Sequence, residues 1–237
     1  MTTAAGVLDG HTNKPYDVSK ISNLIGSVDI GSVDVAPLAM ANGYATFARG
    51  GVYCNPTALV SITDGQGKKY PVPGADCKQA IKPEVAAGVT YALKDVLTKG
   101  AGYNIPVNKT SYDMFAKTGN TDGNTMTWTV GATAGIATAS WFGSYQGIGP
   151  QWVNQNIMIN GKYYGVVDGV DLAGGQWGRF MNAAAPQFKT DAFPSPRHPC
   201  WEPQPARTAV EAPSSQHPPP VNRTPGDCPE AGAAACR

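Results

Sequence analysis

Lys117-Thr118-Gly119 closes an extended run that begins near Ser111 and passes through Met114-Phe115-Ala116. A lysine on an edge strand beside hydroxyl groups offers positive charge and hydrogen bonds, and a glycine lets a second backbone come close. Together they make a place to dock a carboxylate and an extended peptide. The tripeptide alone is common, and read in isolation it is an exposed strand end that runs through Asn120 and Thr121 into a turn at Asp122-Gly123.

A nucleophile to accompany that lysine is not evident. Reading back three residues from each Lys never gives Ser: Asp17 stands before Lys20, Tyr91 before Lys94 and Met114 before Lys117. No Ser-x-Asn occurs either. Ser111 and Ser140 fall on expected strands and Ser61 on an expected excursion, none with a Lys or His at helical spacing to take its proton. His11, His198 and His217 all lie outside the expected core, which argues against a Ser-His-Asp arrangement. No catalytic residue is assigned. His198-Pro199-Cys200 is too sparse for a zinc site, so no metal and no cofactor are expected.

The elements that position the lysine can be read from periodicity and punctuation. Pro37 suits a first helical turn, Leu38, Ala41, Ala45 and Ala48 recur on one face, and Gly50-Gly51 is a stop, predicting a helix over about 36–48. A second helix starts at Pro83, carries Val85, Val89, Ala92 and Val96 on one face with Leu93 and Leu97 beside them, and ends before Gly100. Between the two, Leu59–Thr63 and Lys69–Val72 flank Asp64-Gly65 as a small surface hairpin. Ser111–Gly119, Thr125–Ala132 and Gly135–Gly143 are β-branched or aromatic and bounded by turn residues, which predicts three consecutive antiparallel strands. Trp177, Phe180 and Met181 follow Gly174-Gly175 at a spacing that suits a terminal helix over that sheet. Trp128, Trp141 and Phe142 are read as core beneath the helices rather than as a ligand platform. Gly26–Ile30 and Gly31–Val35 nearly repeat one another, as a loop rather than a solenoid unit.

The totals set limits on partners. The 237 residues carry a net charge of +1 with both signs interspersed, which excludes an electrostatic footprint for nucleic acid and gives no basic membrane-facing helix. No run of about 18 apolar residues and no leader-like start are present, so the chain shows neither a signal nor a transmembrane segment. Twelve of the 20 prolines fall between Pro186 and Arg237, where aromatics thin to Phe188, Phe193 and Trp201. The organisation expected is a folded part over 1–188 and a disordered Pro-rich tail over 189–237. Cys54 and Cys77 bracket a Gly/Pro-rich stretch and are candidates for a disulfide worth roughly 3 kcal/mol, the alternative being two unpaired thiols.

A resemblance adds to this reading. The stretch Pro37–Gly51, with Pro37-Leu38-Ala39-Met40-Ala41-Asn42-Gly43-Tyr44-Ala45-Thr46-Phe47-Ala48-Arg49-Gly50-Gly51, resembles a helix of class A (bifunctional) penicillin-binding proteins of actinobacterial-like kind. Further landmarks follow in the same order: Val96-Leu97, Lys99-Gly100-Ala101-Gly102, Ala116-Lys117-Thr118-Gly119, Trp128, Trp141, Gly143 and Trp177-Gly178-Arg179-Phe180-Met181. The resemblance covers about 36–185. It implies an α+β fold, the penicillin-binding transpeptidase or serine β-lactamase-like fold, here truncated to an antiparallel sheet with covering helices and lacking the N-terminal strands and the nucleophile helix.

It also implies a function. In that family a Ser of Ser-x-x-Lys attacks a D-Ala carbonyl of a stem peptide ending in D-Ala-D-Ala, a Ser-x-Asn lines the opposite wall, and the Lys-Thr-Gly strand holds the substrate carboxylate. Carried over, Lys117 supplies positive potential, Thr118 and Thr121 supply hydroxyl hydrogen bonds, and Gly119 allows close approach. Asn120 stands where the family usually has Thr, and its amide retains a donor. The implied reading is a fragment of a peptidoglycan D,D-transpeptidase that supplies the carboxylate wall, without a glycosyltransferase domain or membrane anchor and inactive alone. Its parent would bind β-lactams and act on the extracytoplasmic side of the bacterial membrane. The alternative is a non-catalytic module that binds cell-wall peptides or a partner synthase. With the first strands absent, an apolar sheet edge and marginal stability are expected.

Overall fold

The computed structural model describes residues 4–12, 14, 31, 33–145, 149–188 and 191–196. The chain from residue 197 onward, with Cys200, Cys228, Cys236, His198 and His217, lies outside the described residues, as does most of the near-repeat over 26–35.

Pro37 occupies the first turn of α1 (Pro37–Ala48), where its missing N–H and fixed φ cost nothing. The buried face differs from the stripe expected. Leu38 is 67% exposed, and Ala39, Gly43 and Thr46 are buried instead. The reason is that residues 5–7 lie along this side of the helix: the Thr46 hydroxyl donates to the Ala5 carbonyl at 3.0 Å, and Ala5 and Val7 are themselves buried. Only small side chains leave room for that segment. Tyr44, Phe47 and Ala48 pack instead against the cluster built around Phe115. Burial pushes the Tyr44 phenol up to about 12.

α2 (Pro83–Thr98) also begins on a proline, and Glu84 places negative charge at its positive end. Again the small residues face inward. Ala86, Ala87, Gly88, Thr90 and Leu97 are buried whereas Val85 and Ala92 are exposed, because α2 packs against α1 and the first strand of the main sheet.

That sheet consists of β5 (Phe115–Asn120), β6 (Met126–Ala132) and β7 (Ala137–Gly143), antiparallel in the order β5-β6-β7. Its register pairs Lys117 with Val130, Thr118 with Thr129, Gly119 with Trp128, and Trp128 with Trp141. Side chains alternate between the faces. On one face Ala116 joins Leu97, Ile105, Met114, Trp177 and Met181, with the last two supplied by α3 (Leu172–Ala184). On the other, Phe115 and Ala132 meet Tyr44, Phe47 and Leu93. The three strands, the two earlier helices and the terminal helix thus form at the places the sequence indicates, and the fold is α+β.

Between α1 and α2 the chain makes an excursion. β1 (Val52–Tyr53) pairs with β4 (Lys78–Gln79), and β2 (Ile62–Thr63) with β3 (Lys69–Tyr70), all antiparallel. Asp64 ties the β2–β3 turn by accepting from the N–H groups of Gln66 and Lys68 and from the Tyr70 hydroxyl at 3.0, 2.9 and 3.0 Å. These hydrogen bonds hold its carboxyl below the ordinary range. Cys54 and Cys77 are joined by a disulfide.

A second hairpin, β8 (Gln155–Ile159) with β9 (Lys162–Val166), lies beyond the elements expected from the sequence. Asn160 and Gly161 form its turn with φ of 49° and 78°. An Asn-Gly pair between apolar runs is a strong short-range hairpin signal, and it was there to be read. No helix among the described residues is long and apolar enough to cross a membrane.

Candidate substrate-binding strand

β5 is an outer strand, paired on one side with β6. Phe115, Lys117 and Gly119 project from one face, and Ala116, Thr118 and Asn120 from the other. Lys117 is exposed. Its Nζ curls back to donate to the Thr118 carbonyl at 2.7 Å. Thr118 is buried at 9% exposure, in the cross-strand row that continues through the buried Thr129 and Ser140. Two of the three hydroxyls in that row have local partners. The Thr129 hydroxyl donates to the Gly169 carbonyl at 2.7 Å, and the Ser140 hydroxyl to Gln176 Oε1 at 3.0 Å.

The remaining two members of the candidate set are engaged with protein. Asn120 Nδ2 donates to Asp168 Oδ1 at 2.6 Å, and Asn120 Oδ1 accepts from the Gly169 N–H at 2.7 Å. Both ends of the amide therefore clamp a loop 48 residues away in sequence. Gly169 is required there, since a Cβ would stand 2.7 Å from the Trp128 carbonyl oxygen and 3.0 Å from that of Gly119. Thr121 Oγ1 accepts from the N–H groups of Thr125 and Met126 at 3.2 and 3.0 Å and lies 2.9 Å from the Thr125 hydroxyl, closing the β5–β6 turn. Asn124 and Gly123 in that turn take the left-handed conformation.

The five residues are contiguous, but their side chains do not converge on one point. Lys117 and Gly119 share the face that carries Phe115, and Thr118 and Asn120 share the other. What the strand presents outward is the Lys117 ammonium and the Gly119 backbone, on a scaffold fixed by Thr118, Asn120 and Thr121. Asp168 and Gly169 belong to that scaffold. No local pattern announced them beyond the turn tendency of an Asp-Gly pair.

The groups considered as nucleophiles are placed plainly. Ser111 Oγ accepts from Asn108 Nδ2 at 2.9 Å, and Ser140 is spent on Gln176. His11 is exposed and its Nε2 lies 2.8 Å from Asp34 Oδ2, an interaction that raises its pKa above the ordinary histidine value. Trp128 and Trp141 are half-buried cross-strand partners on the Lys117 face.

A family profile described as the penicillin binding protein transpeptidase domain matches residues 3–172. The chain belongs to the penicillin-binding protein transpeptidase domain family. Its relatives include penicillin-binding protein 1A of Mycolicibacterium smegmatis, 28% identical over 176 residues that cover 71% of this chain and 21% of the relative. Penicillin-binding protein 1A of Mycobacterium tuberculosis is 27% identical over 175 residues, covering 70% of this chain and 20% of its own. The chain therefore spans about one fifth of the length of these curated relatives.

The fold agrees with the family. The penicillin-binding protein PonA1 from Mycobacterium tuberculosis superposes with a TM-score of 0.66 over 92% of this chain and 57% of that one, at 22% identity. A structure of PonA1 in complex with penicillin V gives 0.61 over 82% and 51%, at 23% identity.

Proposed function

We propose that this chain supplies the substrate-carboxylate wall of a peptidoglycan D,D-transpeptidase. The observation that carries the reading is the placement of Lys117. Its ammonium is exposed on an outer strand and among the described residues donates to a neighbouring carbonyl, next to a glycine that leaves the backbone open. A stem-peptide carboxylate of D-Ala-D-Ala, or the carboxylate of a β-lactam, would displace the Thr118 carbonyl from that ammonium and form a hydrogen bond charged on both sides, which is the stronger of the two. An extended peptide can then lie along β5 as an added strand, with Gly119 permitting close approach. Thr118, Asn120 and Thr121 keep the strand end rigid.

The acylating serine and its lysine come from residues other than these 237, since no Ser stands three positions before a Lys. The chain on its own is therefore expected not to form an acyl-enzyme. Because stem peptides lie outside the cell membrane, a chain that binds them would act on its extracytoplasmic face.

Two measurements on the purified chain test the proposal. Incubation with a fluorescent penicillin, followed by denaturing electrophoresis and intact mass, is expected to leave it unlabelled; a stoichiometric adduct would show that a serine present here is activated. Titration with a peptide ending in D-Ala-D-Ala is expected to shift the amide resonances of Lys117–Gly119 in the wild type and not in Lys117→Ala. No shift in the wild type would remove the carboxylate-wall reading.

A further inference from the structure

The folded part extends past Phe188. Phe193, in the short segment Asp191–Pro196 after the terminal helix, is only 7% exposed and belongs to the Phe115 cluster. Its ring meets the Phe115 ring edge-on at 5.2 Å, while Tyr44 of α1 stacks on Phe115 at 5.7 Å with 10° between the planes. The Phe193 N–H donates to Asp113 Oδ2 at 2.8 Å. That same oxygen accepts from Lys94 Nζ of α2 at 2.7 Å, and the Lys94 ammonium lies 5.6 Å from the Phe193 ring centroid.

These contacts converge on one element. Phe115 opens β5 and shares a face with Lys117, two residues on; Asp113 lies two residues before β5. A segment that packs on Phe115 and hydrogen-bonds Asp113 therefore grips the entry of the strand at both its side chain and its lead-in. The grip also draws on α2 through Lys94. A half-buried ion pair with a backbone N–H on the shared oxygen is a geometrically specific anchor, since losing the segment leaves a carboxylate short of a partner.

We propose that Asp191–Pro196 is a strap and Phe193 a positioning residue that holds the start of β5, and hence the Lys117 ammonium, in place against α1 and α2. This inference does not depend on what Lys117 binds, because its readout is the order of β5 itself.

Hydrogen exchange by mass spectrometry on the full 237-residue chain tests it. In Phe193→Ala the peptide spanning 113–120 is expected to exchange about ten-fold faster while β7 and α3 change less than about three-fold. Phe193→Leu, which restores most of the apolar volume, should recover most of the protection. Asp113→Asn keeps the ring and weakens only the anchor; it should speed exchange over 113–120 and 191–196 together, by about three-fold. Three results would overturn the proposal: no change over 113–120, an equal rise across β7 and α3, or an unprotected Phe193 amide in the wild type. If Phe193→Ala does not fold, the Leu and Asn variants still decide between these outcomes.

Discussion

The three-stranded sheet and the disulfide-linked excursion over 51–81 are held by different physics. The sheet is covered on both faces, by α3 through Trp177 and Met181 and by α1 through Tyr44 and Phe47, and its central strand is mostly buried. In the excursion the strands are two residues long, β2 to β4 are exposed, and Leu59 and Val60 are 50% and 92% exposed. Area removed from water stabilises the first. The second has almost none to remove, and a covalent link with turn hydrogen bonds around Asp64 takes its place. A segment without a core can be confined by restricting the unfolded chain, whereas the strand that carries Lys117 depends on packing from both sides.

The sharpest way to break this contrast is at Trp177, whose side chain is fully buried. Trp177→Ala is expected to cost about 3–5 kcal/mol in chemical denaturation, from lost transfer energy and the cavity left against Ala116 and Met181. Its indole N–H finds no acceptor among the described residues. Trp177→Phe removes that unpaired donor along with one ring, so the two effects oppose and the cost should be less than half that of alanine. Equal losses in the two variants would mean that the ring kept by phenylalanine finds no packing there and that removing the unpaired donor gains nothing.

The disulfide should behave otherwise. Replacing both Cys54 and Cys77 by Ala removes a cross-link worth about 3 kcal/mol in the chain-entropy model. Because the excursion buries little, the loss is expected as faster amide exchange at Val52–Tyr53 and Lys78–Gln79, with β5–β7 unchanged. Loss of protection in β6 would show that the excursion supports the sheet after all.

The same contrast explains what was legible in the sequence. Pro37 and Pro83 mark helix starts, and Gly- and Asn-bounded β-branched runs mark β5–β7, because these signals are local. The buried faces were not legible. Hydrophobicity favoured Leu38 and Val85, both exposed, over Thr46, Thr90, Thr127 and Thr129, all buried. Each of these hydroxyls donates to a backbone carbonyl, a partnership that composition does not encode. Phe193 was lost in the average of a Pro-rich stretch, since a single aromatic anchor does not change a mean. The lysine strand itself was visible as a motif. The clamp that fixes its far end was not, because Asn120 and Asp168 meet only in the fold.

That clamp offers the smallest and most local test. Asn120 and Asp168 are both exposed, so water replaces the bond between them when Asn120→Ala is made, whereas the N–H of the buried Gly169 loses its acceptor; the expected cost is about 1–2 kcal/mol. Asn120→Asp is a different perturbation. It keeps an acceptor for the Gly169 N–H but sets a second carboxylate against Asp168, where a donor now stands at 2.6 Å. Two ionised carboxylates this close repel, so the added destabilisation is present at neutral pH and is relieved when acid protonates one of the pair. Denaturation of the Asp and Ala variants side by side should therefore show Asp the less stable at pH 7, with the gap closing toward pH 4. A gap that does not change with pH would mean that the loop carrying Gly169 swings away when the clamp is lost, and that the end of β5 is held by its pairing with β6 alone.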